Sequence, residues 1–312
     1  MSDTVQNAAV NSVEIQKAQL AVGAPKPATP QPVPLAQQVN KAMGAQVSIP
    51  KGLEVDTDTG QLDQIWMRAM IYGETNAKKT TVSAKFGSPE DVRIILTRGE
   101  DQLLPLVPEP GKPAYKYRYC DTAEKIKFAM MYPERLWPDW ATRPNRILVI
   151  DDITKGKDIL LDFHEYNEKG TKQNNMMVHR EAKTDMADLV KVMFGKPMHI
   201  IMVAFASIYE NPVTHEENVG PDIPPSMMRM LTADFTFVFY IDKAKNMFRT
   251  DDYREVYEDV DESMKRKTFT RIITAKHKIP AFLAGKNIVN PLEPLDLQKI
   301  WLKIQAAKRG GK

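Results

Sequence analysis

The residues whose types and spacing can do chemistry begin at Gly73. "IYGETNAKKTT" places Gly73, four residues, Lys78, Lys79 and Thr80 between an apolar run and a segment able to open a helix. The phosphate-loop pattern is Gly, four residues, Gly, Lys, then Ser or Thr. In that arrangement the backbone N–H groups of Gly73, Glu74, Thr75, Asn76, Ala77, Lys78, Lys79, Thr80 and Thr81 surround phosphates at a helix N-terminus. Lys79 is expected to reach the β- and γ-phosphates, and the Thr80 hydroxyl to bind Mg²⁺. Lys78 stands where the pattern has its second glycine. Glycine is used there because the backbone needs positive φ or a close approach to the ligand. The Lys78 side chain either blocks the loop or points outward and leaves the N–H groups in place.

A second signal is "ILVIDD", four apolar residues leading into Asp151 and Asp152. An aspartate at the carboxyl end of a buried strand beside a phosphate loop orients the metal's ligand shell, and Asp151 is assigned that role. Hydrolysis also needs a group that orients water. Glu100, after the second strand, is the candidate, with Asp101 and Asp152 as rivals. Ser207 is a candidate sensor of the γ-phosphate or a structural strand end.

The elements that must position these groups are legible as apolar runs. Strands are expected over 65–73, 91–99, 145–153, 197–207 and 234–242, with a further one over 268–275. Helices are expected from 80, over 122–134 and over 183–195. Continuous apolar strands separated by helices indicate a mostly parallel sheet covered on both faces, an α/β, three-layer, doubly wound fold. Such sheets bind ligands at the carboxyl ends of their strands, where both motifs fall.

Residues 1–55 are Pro- and Ala-rich and read as a flexible arm, with either a short helix over 35–44 or a plain tether. A nucleotide-binding domain is expected over 56–280. Residues 281–312 form an extension that begins as an amphipathic helix and ends in a basic tail.

The bulk composition restricts the alternatives. With 43 basic and 40 acidic residues the net charge is +3, which makes no global case for nucleic acid. A single cysteine excludes a disulfide framework and a multi-thiolate metal site. The five histidines are scattered, without the spacing of a metal pair on one helix. The absence of long apolar runs leads to the expectation of a soluble, cytoplasmic protein.

The order of the pieces resembles the RecA-like ATP-binding proteins of bacteriophages, a group that includes single-strand-annealing and recombination ATPases. The matching segments are "IYGETNAKKTT", "RILVIDDIT", "HIIMVAFAS", "EENVGPDIPPSMMRML" with "DFTFVFYID", and "TFTRIITAKHK", together about residues 62–280. The resemblance implies a RecA-type core, ATP and Mg²⁺ as cofactors, and a homo-oligomer in which one subunit presents a basic residue to its neighbour's nucleotide. Arg271, Lys276 and Lys278 lie in the segment that would supply it, unless "AKHK" is a solvated basic turn. The resemblance also implies that two loops face single-stranded DNA. The first, 155–182, holds Lys155, Lys157, Lys169, Lys172, Asn174, Asn175, His179 and Arg180 beside Phe163 and Tyr166; the second is 211–230. The expected function is ATP-dependent work on single-stranded DNA in phage recombination, repair or replication. The alternative is a catalytically weak member of the same fold with a structural or regulatory role.

Overall fold

The computed structural model describes residues 66–309, apart from 109, 167–169, 225–226, 228–230, 232–233, 261–265 and 278–287. The arm expected at 1–55 and the Lys278 candidate lie outside the described residues.

The centre of the fold is β1 (Arg68–Gly73), every residue of which is buried. It lies between β5 (His199–Glu210) and β7 (Phe237–Asp242), parallel to both. Beyond β5 come β4 (Ile147–Asp151), β2 (Val92–Leu96) and β3 (Lys116–Tyr119), all parallel. Beyond β7 the sheet continues antiparallel through β8 (Met247–Arg249) and β12 (Leu292–Pro294). The protein is thus α/β with a large, mostly parallel sheet. β1, β2, β4 and the start of β5 are buried throughout, which is why their sequences are continuous apolar runs without polar alternation.

Alternate residues of β1 feed two separate cores. Met70 and Tyr72 pack with α2 (Ala123–Met131), α5 (Ile153–His164) and α6 (Asn175–Phe194). Met67, Ala69 and Ile71 pack with α1 (Lys79–Ala84) and α7 (Leu297–Arg309). The C-terminal helix contributes Leu297, Ile300, Trp301 and Ile304, all buried, to the core that also holds Val82 of α1. Two short helices, α3 (Pro133–Leu136) and α4 (Pro138–Ala141), each open on a proline. Trp140 of α4 is fully buried, and its indole N–H donates to the Asp91 carbonyl at 2.5 Å.

Polar side chains fix the helix starts. Thr122, Asp152 and Asn174 accept the N–H groups of Lys125, Lys155 and Met176, satisfying donors that have no partner inside the helix.

Segment 155–182, expected as a loop, is mostly helical. α5 and α6 occupy it, joined by a connector at 165–174 in which Tyr166 and Lys172 make an isolated β-bridge. Its basic residues drew attention to solvent, but Ile153 and Leu160 recur at helical spacing and are buried. The second expected loop, 211–230, likewise contains a strand, β6 (Glu217–Pro221). β6 pairs antiparallel with the outer half of β5 and parallel with β10 (Arg266–Ile273). β10 pairs in turn with β9 (Tyr253–Val260). A two-residue strand, β11 (Lys276–His277), joins the main sheet at β7.

Among the described residues, no helix is long and apolar enough to cross a membrane. His199 is buried, accepts the Met67 N–H at 3.0 Å and lies among Trp66, Phe86 and Trp301. Burial lowers its pKa to about 4, so it is a neutral core residue at physiological pH. Cys120 is buried as well, and burial pushes its thiol up to about 11.

Candidate nucleotide site

The carboxyl edge of the parallel sheet gathers the loop, the acidic strand end and two cations. β1 ends at Gly73, which lies in register with Phe205 of β5 and Ile241 of β7. A Cβ on Gly73 would come within 3.3 Å of Ile241, so glycine suits the point where the chain turns. The turn then uses two left-handed residues, Asn76 and Lys78, each at φ 61°. Lys78 caps α1 with its backbone, and its carbonyl accepts the Val82 N–H at 3.0 Å.

Lys78 resolves the question its presence raises. Its side chain is exposed and turned away from the loop, with Nζ donating to Asn246 Oδ1 at 2.9 Å. The left-handed backbone that a glycine would supply is adopted by the lysine itself, at a cost of about 1–2 kcal/mol.

Lys79 points the other way. It is buried, and Nζ donates to the carbonyls of Gly73 at 3.0 Å and Glu74 at 2.6 Å. Burial lowers its pKa to about 8, against the pull of Asp151 and Asp152, while the Arg98 charge lowers it further. The Thr80 hydroxyl donates to Asp151 Oδ2. Asp151 is almost wholly buried, and this burial raises its pKa to about 6, against the Thr80 hydrogen bond.

A cleft of about 730 Å³ runs over these groups, lined on the loop side by residues 75–81 and on the sheet side by Arg98, Asp151 and Phe205. The expected residues Thr75, Asn76, Ala77, Lys78, Lys79, Thr80, Thr81 and Asp151 all line it. Gly73 contributes its carbonyl beneath Lys79. Glu74 has its carbonyl there too, but its residue lines a different hollow together with Tyr240 and Arg271.

The remaining candidates fall elsewhere. Glu100 opens a 3₁₀ turn, Glu100–Leu106, after β2; its side chain and that of Asp101 lie outside the described ones. Asp152 is structurally engaged. One carboxylate oxygen takes the Lys155 N–H, and the other lies 3.0 Å from Arg98 Nε in an ion pair whose N–H points off the contact line. From β5 the cleft receives Phe205, whereas Ser207 sits farther out, in register with Gly220 of β6. Arg271 is held within its own chain, its Nη2 2.8 Å from Glu217 and its Nη1 3.6 Å from Glu255. Lys276 lies in β11, with its partner strand β7 alongside.

Two site residues were missed by reading the sequence. Arg98 and Lys79 both lie over the Phe205 ring, at 4.0 and 4.2 Å from its centroid, so the ring's electron-rich face attracts both cations. The signal for Arg98 was its place just past the end of β2, on the same edge as Asp151. Phe205 carried no signal in its local sequence, because it reads as one more apolar residue of a buried strand.

No protein-family model matches this sequence, and no curated protein matches it.

Proposed function

We propose that this protein binds a nucleoside triphosphate with Mg²⁺ on a RecA-like core, the triphosphate lying in the cleft over Lys79. The observation that carries this reading is the convergence of Lys79, Thr80 and Asp151 in one cleft, while the Lys78 ammonium at its border is held by Asn246. An ammonium, a hydroxyl and a carboxylate meet where backbone N–H groups open a helix, which is the donor set a Mg²⁺–phosphate ligand requires.

Thr80 Oγ1 and Asp151 are the residues that would hold Mg²⁺. The metal binds through few protein oxygens and completes its shell with phosphate and water, so the lack of a three-acid cluster among the described residues is consistent with it. When bound it neutralises charge on the β- and γ-oxygens. Lys79, now satisfied by two loop carbonyls, exchanges them for phosphate oxygens. Arg98 adds a second positive charge on the sheet side.

ATP binding to a RecA-like core is supported by the strand order as well. The strand carrying the loop and the strand ending in Asp151 are separated by one strand, β5, so the cleft spans three strand ends. Work on single-stranded DNA, as in phage recombination, repair or replication, rests chiefly on the resemblance. Phe163 and Tyr166 give it limited support: both rings are about half exposed, while the nearby Lys127 and Lys172 are ion-paired with Asp185 and Glu165. Cations interleaved with exposed rings suit single strands. A second reading, a nucleotide-binding protein that hydrolyses weakly, is favoured by the full burial of Asp152, which keeps that one candidate away from water.

Titration calorimetry with ATP, with and without Mg²⁺, tests the proposal. Lys79→Ala is expected to weaken binding roughly 10–100-fold, the loss of one or two charge-assisted hydrogen bonds of about 1.5–3 kcal/mol. If the native chain shows no binding at millimolar ATP, the nucleotide reading is rejected. Phosphate release with and without an oligonucleotide separates the two readings. A labelled oligonucleotide whose anisotropy stays flat at low salt rules out the DNA surface.

A further inference from the structure

Beside the phosphate cleft lies a second cavity of about 510 Å³, between α1 and the segment joining β12 to α7. Its lining includes Lys78, Thr81 and Lys85, which line the phosphate cleft too, so the two spaces flank the same face of α1. The far wall is Asn246 and residues 295–298.

We propose that this cavity receives the nucleoside half of the nucleotide, which makes the β12–α7 segment part of the binding site. The inference rests on the reading of the first cleft as a triphosphate site. The cavity lies within the roughly 300–1,000 Å³ range of small-molecule sites. Its lining is mostly polar, with one apolar patch formed by Val82, Leu295 and Leu297. Val82 and Leu297 are buried in the shared core and Leu295 packs against it, giving an apolar wall that is fixed in place. The other six lining residues are polar or charged. Asn246 Oδ1 holds Lys78 Nζ, and Asp296 Oδ1 accepts the Lys299 N–H at 3.0 Å, so both are anchored.

The side chains of Lys85 and Gln298 make no hydrogen bond or ion pair to any other described residue. A cation on the α-phosphate side and a free amide on the far side are what a sugar and base need beside an apolar surface. The geometry also gives Lys78 a task that a glycine cannot perform. Its aliphatic stem and ammonium form the shared rim between the two spaces, tied to Asn246 across the mouth.

The test compares Mg·ATP with Mg·tripolyphosphate, which carries the same phosphates and no nucleoside. The native chain is expected to bind ATP at least about tenfold more tightly, an advantage of ~1.4 kcal/mol. Gln298→Trp changes an exposed position on the cavity wall and fills the space without disturbing the core. It is expected to remove that advantage while leaving tripolyphosphate affinity within about twofold. Equal binding of the two ligands by the native chain overturns the proposal and leaves the phosphate site standing, as does a Gln298→Trp protein that keeps its preference for ATP. Failure of both ligands to bind removes the phosphate site and this proposal together. Photolabelling of the native chain with 8-azido-ATP needs no variant: labels on residues 78–85 or 295–298 support the assignment, and labels confined elsewhere overturn it.

Discussion

On the proposed reading, Asp151 combines two roles that pull against each other. A carboxylate placed to hold a divalent ion must be charged, yet burial favours its protonated form and raises its pKa to about 6. The folded value lies above the ordinary 3.8, so the folded state binds this proton more tightly than the unfolded chain. The stabilising contribution is therefore fully present below about pH 3.8 and lost as pH rises through about 6. At neutral pH the charged group costs stability until a cation arrives. Asp151→Asn is expected to raise the stability of the ligand-free protein at pH 7.5 by roughly 1–3 kcal/mol and to abolish the Mg²⁺ dependence of nucleotide binding. Urea titrations at pH 7.5 and pH 5 check this, since the gain must shrink at the lower pH. An Asn variant less stable than the native chain at pH 7.5 defeats the argument. At this scale the sequence was informative where chemistry is written in residue type: Lys79, Thr80 and Asp151 announce themselves. Arg98 carries no such signal, because its role depends on the Phe205 ring more than a hundred residues away. The orientation of Lys78 depends on Asn246, at a distance along the chain that no local pattern spans.

The elements divide by how they are buried. Strands buried on both faces write themselves as apolar runs, and β1, β2, β4, β5 and β7 were all expected close to their observed bounds. Strands with one wet face, such as β3 with its Lys-Tyr-Arg-Tyr, have too few apolar residues to register and were missed. Helix α5 was hidden by its polar turns and the glycine within it, although Asp152 at its start is a strong capping residue. The C-terminal helix was expected as an amphipathic extension, but its place in the core that holds Val82 of α1 is a matter of packing. Ile300 is fully buried there. Ile300→Ala is therefore expected to destabilise the protein by about 2–5 kcal/mol through lost contacts and a cavity. Thermal or denaturant unfolding measures it; a loss under 1 kcal/mol means that α7 is not docked as described.

For the molecule as a whole, the loop, the metal residues and the proposed nucleoside wall all belong to the unit spanning 64–312, so a ligand that fits them stabilises the fold they share. At a hundredfold excess over its dissociation constant, a ligand specific for the folded state adds about 2.7 kcal/mol. For 150–250 residues that corresponds to a Tm rise of roughly 5–11 °C. Differential scanning fluorimetry with Mg·ATP reads it directly, and an unchanged Tm at saturating ligand contradicts the assignment. The shared core of α1 and α7 also has a temporal side. Translation proceeds at about 5–20 residues per second, so roughly 10–40 s separates synthesis of the helix after the phosphate loop from synthesis of the helix that faces it. During that interval a nascent chain carries the residues of the proposed phosphate site without the wall proposed to tell a nucleoside from bare polyphosphate.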